Sequence, residues 1–228
     1  MGFLLLIIFI LLSTEAFGHK PLDTSGPATR SVPVNIREHQ ISRAAYNSLR
    51  DEKDVHYYKL LSVKKGERIY ASIYIPRIER LKDFSPILGL IGPGLEMELD
   101  DLNKELVEEL LEIYPGEGVI LKKNEKKAKN FFEPFTQTNY WEKQQLELVA
   151  PVDGDYYLVV FDPAGKGDKY LLSIGEKESW GLKDLGKFPA IWWKVRIFAE
   201  KKISTYVITG FVLLGFCYLF YYIIKRLY

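Results

Sequence analysis

Residues 150–175 read APVDGDYYLVVFDPAGKGDKYLLSIG, two apolar runs around a loop of turn residues. In the first run Tyr157, Val159 and Phe161 alternate with Tyr156, Leu158 and Val160, so neither parity is polar. That pattern predicts a strand buried on both faces, which only a central strand can be. The second run, YLLSI, predicts its neighbour, and the stretch therefore reads as a hairpin. Its loop, residues 162–168, carries two carboxylates, two glycines and a lysine. Glycine, aspartate and proline are ordinary turn residues, which makes a plain turn the default. A phosphate loop is excluded, because Gly167 is followed by Asp168 and then a strand, where that motif needs Lys, Ser or Thr and a helix. Calcium stays open, with Asp162 and Asp168 as oxygen donors, although two carboxylates are few and Lys166 stands between them.

The same periodicity extends upstream. Ile69, Ala71, Ile73 and Ile75 alternate with Tyr70, Ser72 and Tyr74, and Lys65-Gly66-Glu67 precedes them, so residues 55–75 read as a second hairpin. Short strands are expected at residues 87–91, 119–121 and 140–149. One segment changes period: Leu102, Leu106, Val107, Leu110, Leu111 and Tyr114 share a helical face before Pro115-Gly116, predicting a helix over residues 101–114. Seven or eight short strands with one inserted helix point to a β-sandwich.

The ends of the chain are apolar. Residues 3–12 are too short to span a bilayer and precede Ala16 and Gly18, the small residues a signal peptidase favours, so residues 1–18 are expected to be an export signal. Residues 203–224 carry no charge and are long enough to cross a membrane, with Lys225 and Arg226 behind them as a stop-transfer signal and residues 225–228 as a short cytoplasmic tail. The expected topology is single-pass in the cell membrane, with the N-terminal domain outside the cytoplasm. Residues 19–31 hold Pro21, Gly26 and Pro27 and read as a flexible leader, with the folded domain over residues 32–178. Residues 179–202 include Trp192 and Trp193, and read either as an interfacial helix on the outer leaflet or as an extension of the membrane helix. Cys217 is the single cysteine and lies inside the span, so the exported domain can form no disulfide.

Two motifs carry a resemblance. DVHYYKLLSVKKGERIYASI (residues 54–73) resembles the opening of pre-peptidase C-terminal-like domains, and DGDYYLVVFDPAGKGDKYLLSIG (residues 153–175) resembles their closing hairpin. Residues 32–175 fall within the resemblance, and the inserted helix departs from the compact pattern. The resemblance implies a mainly β, jelly-roll-like antiparallel sandwich, an accessory domain of secreted proteins. Some members bind calcium or assist substrate binding; others only help folding or export.

Charge is balanced, 31 Lys and Arg against 30 Asp and Glu, which argues against a nucleic-acid partner. No H-E-x-x-H or G-x-S-x-G is present and no thiol lies in the exported part. The expected function is therefore a non-catalytic, membrane-anchored binding or assembly module, with membrane lipid and a protein in or on the membrane as partners and no resident cofactor. A metalloprotein is the competing reading. If cleavage follows Gly18, His19 offers an amine and an imidazole to copper, with His39 or His56 as the further ligand; Asp162 and Asp168 are the calcium alternative. A hydrolase without a recognisable motif is the third. The aromatic stretch with Phe131, Phe132, Phe135, Tyr140 and Trp141 is a candidate binding surface, half of it expected in the core. Trp192, Trp193, Lys225 and Arg226 are the expected membrane-interface residues.

Overall fold

In the computed structural model, which describes residues 19–97, 101–122 and 128–227, the run Gly154–Phe161 is β10 and lies at the centre of a sheet. The expected signal peptide, most of the charged run after residue 122, and Tyr228 fall outside the described residues. β10 pairs antiparallel with β4 (His56–Val63) on one side and β6 (Ile87–Pro93) on the other. β2 (Val34–Ile36) joins β4 in parallel and β7 (Glu117–Lys122) joins β6, giving the order β2-β4-β10-β6-β7. The second sheet runs β1-β3-β11-β5-β9-β8, formed by β1 (Lys20–Pro21), β3 (Arg43–Ser48), β5 (Arg68–Pro76), β8 (Lys129–Glu133), β9 (Thr138–Val149) and β11 (Lys169–Ile174). All its pairings are antiparallel except that of β1 with β3. The chain is thus a β-sandwich with one inserted helix and a long C-terminal helix, α1 (Asp101–Leu110) and α3 (Lys202–Leu227), and a further helix between, α2 (Phe188–Phe198).

The two parities of β10 explain its composition. Tyr156, Leu158 and Val160 enter the core between the sheets, meeting Ile69, Ile73 and Leu172 from the other layer. Tyr157, Val159 and Phe161 enter a second core on the opposite face, closed by Val107 and Leu111 of the helical segment. Fully burying each such side chain contributes about 1.5–3 kcal/mol, so both cores count. On β5, Ile69, Ala71, Ile73 and Ile75 point into the inter-sheet core, as their alternation predicted, while Tyr74 joins a third, smaller cluster on the outer face of the six-stranded sheet.

Several expectations need correction. Neither expected hairpin is one. β4 and β5 are consecutive but belong to opposite sheets, as do β10 and β11, so each turn is an arch that carries the chain across the core. Alternation in a single strand cannot tell these apart, because both arrangements bury the same parity. The first arch is held by the carboxylate of Glu67, which accepts the Lys64 amide at 2.8 Å, and Gly66 takes φ +87°. Eleven strands form among the described residues, more than the seven or eight expected, because β1, β2 and β8 are short. The helix ends at Leu110 rather than residue 114. The leader is not free: β1 pairs with β3, the Leu22 amide bonds Ala44, and the Ala28 carbonyl accepts the Tyr57 amide. Arg30 then closes it down, buried at 4 %, with both Glu117 oxygens within 2.6 Å and the Tyr157 ring 3.5 Å from its guanidinium. The folded unit therefore begins before residue 32.

Candidate functional site

The outer face of the six-stranded sheet carries Ala44, Tyr74, Tyr140 and Leu171, flanked by Tyr46 and Phe131. α2 packs at this face. Phe198 meets Tyr46 edge-on at 5.2 Å, and Phe188 lies 5.3 Å from Phe135 and 5.0 Å from Trp180. The segment before α3 is therefore a separate helix held on the sandwich, with Val195 and Arg196 buried, rather than a straight continuation of α3.

Arg196 is the centre of the junction. It is 3 % exposed. Its Nε donates to Thr205 Oγ1 at 3.0 Å, Nη1 to the Thr136 carbonyl at 2.7 Å and Nη2 to Ser204 Oγ at 2.7 Å. One side chain thus joins the sandwich loop before β9, helix α2, and the first turn of α3. Its plane lies 4.7 Å from the Trp192 ring, a cation–π contact. Burial pulls its pKa below the ordinary value, yet a guanidinium keeps its charge. A buried charge held by neutral oxygens survives only if its hydrogen bonds are made, and here every nitrogen has a partner.

Two further ties flank it. Glu200 breaks the chain between α2 and α3 with φ +58°, a left-handed conformation unfavourable for a residue with a Cβ. Its carboxylate accepts Lys169 Nζ at 2.8 Å and also Arg80, whose other nitrogen reaches Asp168. The bond from Lys169 first, and then the two nearby cations, hold the Glu200 carboxyl below its usual range against the opposing effect of burial. On the other side Lys20 of β1 pairs with Asp184 at 2.8 Å. The arrangement is a clamp: it can hold α3 in a fixed orientation to the sandwich.

The arch loop 162–168 belongs to this clamp through Asp168. Asp162 is 3 % exposed and accepts the amides of Ala164, Lys166 and Gly167 at 3.3, 2.9 and 3.3 Å. Gly167 has φ +40°, and a Cβ there would sit 2.5 Å from the Arg50 carbonyl oxygen. Both carboxylates expected to face a calcium ion are thus engaged, Asp162 by backbone amides and Asp168 by Arg80.

The three histidines each have their own partners. The His19 ring bonds Ser42 through Nδ1 and Ser173 through Nε2, the latter at 3.0 Å. His56 Nδ1 meets the Tyr170 hydroxyl at 2.6 Å, and its Nε2 lies 3.3 Å from Asp54. Tyr170 bonds Tyr58 at 2.7 Å, and burial pushes the Tyr58 hydroxyl up to about 12. His39 is buried, 3.8 Å from the Glu67 carboxylate. Burial pulls all three imidazoles below their ordinary pKa, with Glu67 opposing at His39 and Asp54 opposing at His56. Among the described residues no group of three or more His, Cys, Asp or Glu side chains gathers as a metal site would require.

The aromatic candidates are divided. Tyr140 is fully buried, Phe131 packs on Tyr74 at 5.1 Å, and Phe135 is used by α2. Trp141 is half-buried at the rim of the core under Arg77 and Lys143. Phe132 alone stands out, 53 % exposed. Trp193 packs on Tyr206 of α3 at 5.4 Å, and Lys225 and Arg226 lie exposed in the last turn of α3. Elsewhere a cleft opens between β7 and β9, floored by Leu90, Ile120, Leu146 and Leu148 with Lys122 and Glu147 at its edge. Sequence reasoning missed Arg196, Glu200, Arg80 and Lys169. The available signal was a lone arginine in WWKVRIF, an apolar stretch where a charge needs partners.

No family model and no curated protein matches the chain. Among solved structures it is similar to Aeromonas hydrophila PliG, a periplasmic inhibitor of g-type lysozyme, with a TM-score of 0.34 and 13 % identity over 69 % of this chain and 95 % of that one.

Proposed function

We propose that the protein is a non-catalytic, single-pass membrane protein that holds its β-sandwich outside the cytoplasm as a binding or assembly module, an accessory subunit of a membrane complex. The sandwich is taken to be of the pre-peptidase C-terminal-like kind, on the strength of residues 54–73 and 153–175. The observation that carries the functional reading is Arg196. A domain meant only to be tethered needs a flexible linker; this one is joined to its anchor by a buried arginine that bonds both. Such a junction fixes which surface is presented at which height above the bilayer, which is useful where a partner in the same membrane must be met. α3 supports the anchoring role: 26 residues with a mean hydropathy of 2.2 in its most apolar window, about 39 Å at 1.5 Å per residue.

Chemical cross-linking of the full chain in its native membrane, followed by extraction in mild detergent and mass spectrometry, tests this. A stoichiometric second chain supports the reading. Recovery of this chain alone, as a monomer, counts against it.

A further inference from the structure

The charges around the base of α3 are unevenly used. Residues 187–202 contain five basic side chains and one acidic one. The acidic one, Glu200, is taken by Arg80 and Lys169 of the sandwich. Arg196 is buried on neutral oxygens. Lys187 leans toward Asp184 at 3.6 Å, and Lys194 has Asp23 in its neighbourhood, whose carboxyl is held low first by its bonds from Ser25 and then by this lysine's charge. That leaves Lys201 and Lys202, both exposed, which form no ion pair with an acidic side chain among the described residues. They sit where α3 begins, one turn before Tyr206, which is 56 % exposed and packs on Trp193. Tryptophan and tyrosine at the end of an apolar helix mark the headgroup level of a bilayer, so the two lysines lie at the phosphate plane.

We infer that Lys201 and Lys202 form a docking surface for the phosphate headgroups of anionic lipids in the leaflet nearest the sandwich. The inference rests on the reading that α3 crosses a membrane. Three features favour lipid as the occupant. The surface is continuous with the apolar wall of α3, where Ile203 is 82 % exposed. Its charge is opposite to that of an anionic leaflet. The acidic residue that would otherwise neutralise it is drawn away by the sandwich, so the clamp that fixes α3 also leaves the lysines open to phosphate. Lipid bound there would brace the clamp from below.

The test uses the full chain in nanodiscs of phosphatidylcholine containing a trace of dansyl-labelled phosphatidylglycerol or dansyl-labelled phosphatidylcholine. With Trp141 and Trp180 replaced by Phe, energy transfer from the remaining Trp192 and Trp193 reports the lipid beside the base of α3, because the far leaflet is a bilayer's thickness away. The expected result is an enrichment of the anionic over the neutral probe of about fivefold, falling as salt rises. It should be lost in K201Q/K202Q and kept in K201R/K202R. Equal transfer from the two probes, or a preference that survives K201Q/K202Q, overturns the inference while leaving the anchor intact. A chain that leaves the bilayer on alkaline washing overturns the anchoring reading and this inference together.

Discussion

The two outer faces of the sandwich are covered in different ways. The five-stranded sheet is covered by Val107 of α1 and by Leu111 just after it, packed against Val159 and Phe161, an apolar contact, with Arg30 pinning the leader beside it. The six-stranded sheet carries α2 and the base of α3 through Arg196, Glu200 and a ring of aromatic side chains. The first cover rests mainly on buried area, with one directed bond from the Glu112 amide to the Tyr57 hydroxyl at 3.0 Å. The second depends on hydrogen-bond geometry and fixes one orientation. The difference separates stability from positioning: one face supports the fold, and the other sets how the long apolar helix α3 stands against it.

The largest effect should come from breaking the apolar cover. Val107→Asp buries an unpaired charge and should cost about 3–5 kcal/mol, lowering the thermal midpoint of the full chain in detergent without selective loosening of α2. Arg196→Met comes next, about 2–3 kcal/mol, because the Thr136 carbonyl and the Thr205 hydroxyl lose their charged partner. Its signature is local: hydrogen exchange should rise in α2 and in the first turn of α3 before it rises in β10. Equal effects of the two variants on the two regions would contradict a separation of stability from positioning.

Acid should act through the histidines. Their folded pKa values lie below the unfolded value of about 6.5. The unfolded chain therefore takes up protons first, and stability present above pH ~6.5 is lost as pH falls through the folded values. The slope is at most about 1.4 kcal/mol per pH unit for each histidine. His19 lies with Ser42 and Ser173, and Ser173 shares the outer parity of β11 with Leu171 on the anchor-bearing face, so His19→Gln should flatten the profile. A stability curve flat between pH 7 and 5 in the unmodified chain would contradict this. The smallest effect is Glu200→Gln, about 0.5 kcal/mol for a part-exposed ion pair, seen as faster exchange at the Glu200 and Lys201 amides.

The same contrast explains what the sequence made legible. The double apolar parity of residues 156–161 and the helical spacing of Leu106, Val107, Leu110 and Leu111 are area signals: they marked β10 as a central strand and the segment as a helix with one apolar face, while the face of the sandwich that this helix covers was not legible. Sheet assignment was not legible, since an arch and a hairpin bury the same parity; residues 55–75 and 150–175 were both misread for that reason. The leader was misread because Gly26 and the prolines signal a loop, while its fastening comes from Arg30 and Glu117, 87 positions apart. The clamp was hidden likewise: Arg196 meets Thr136 across 60 positions, and no periodicity encodes such a pair.

Held by Arg196, the sandwich and α3 should move as one rigid unit. The native Cys217 on α3 and a cysteine introduced at exposed Lys64 provide two spin-label sites in the full chain in nanodiscs. A single narrow distance distribution is expected, broadening in Arg196→Met. A broad distribution in the unmodified junction, unchanged by that substitution, would contradict it.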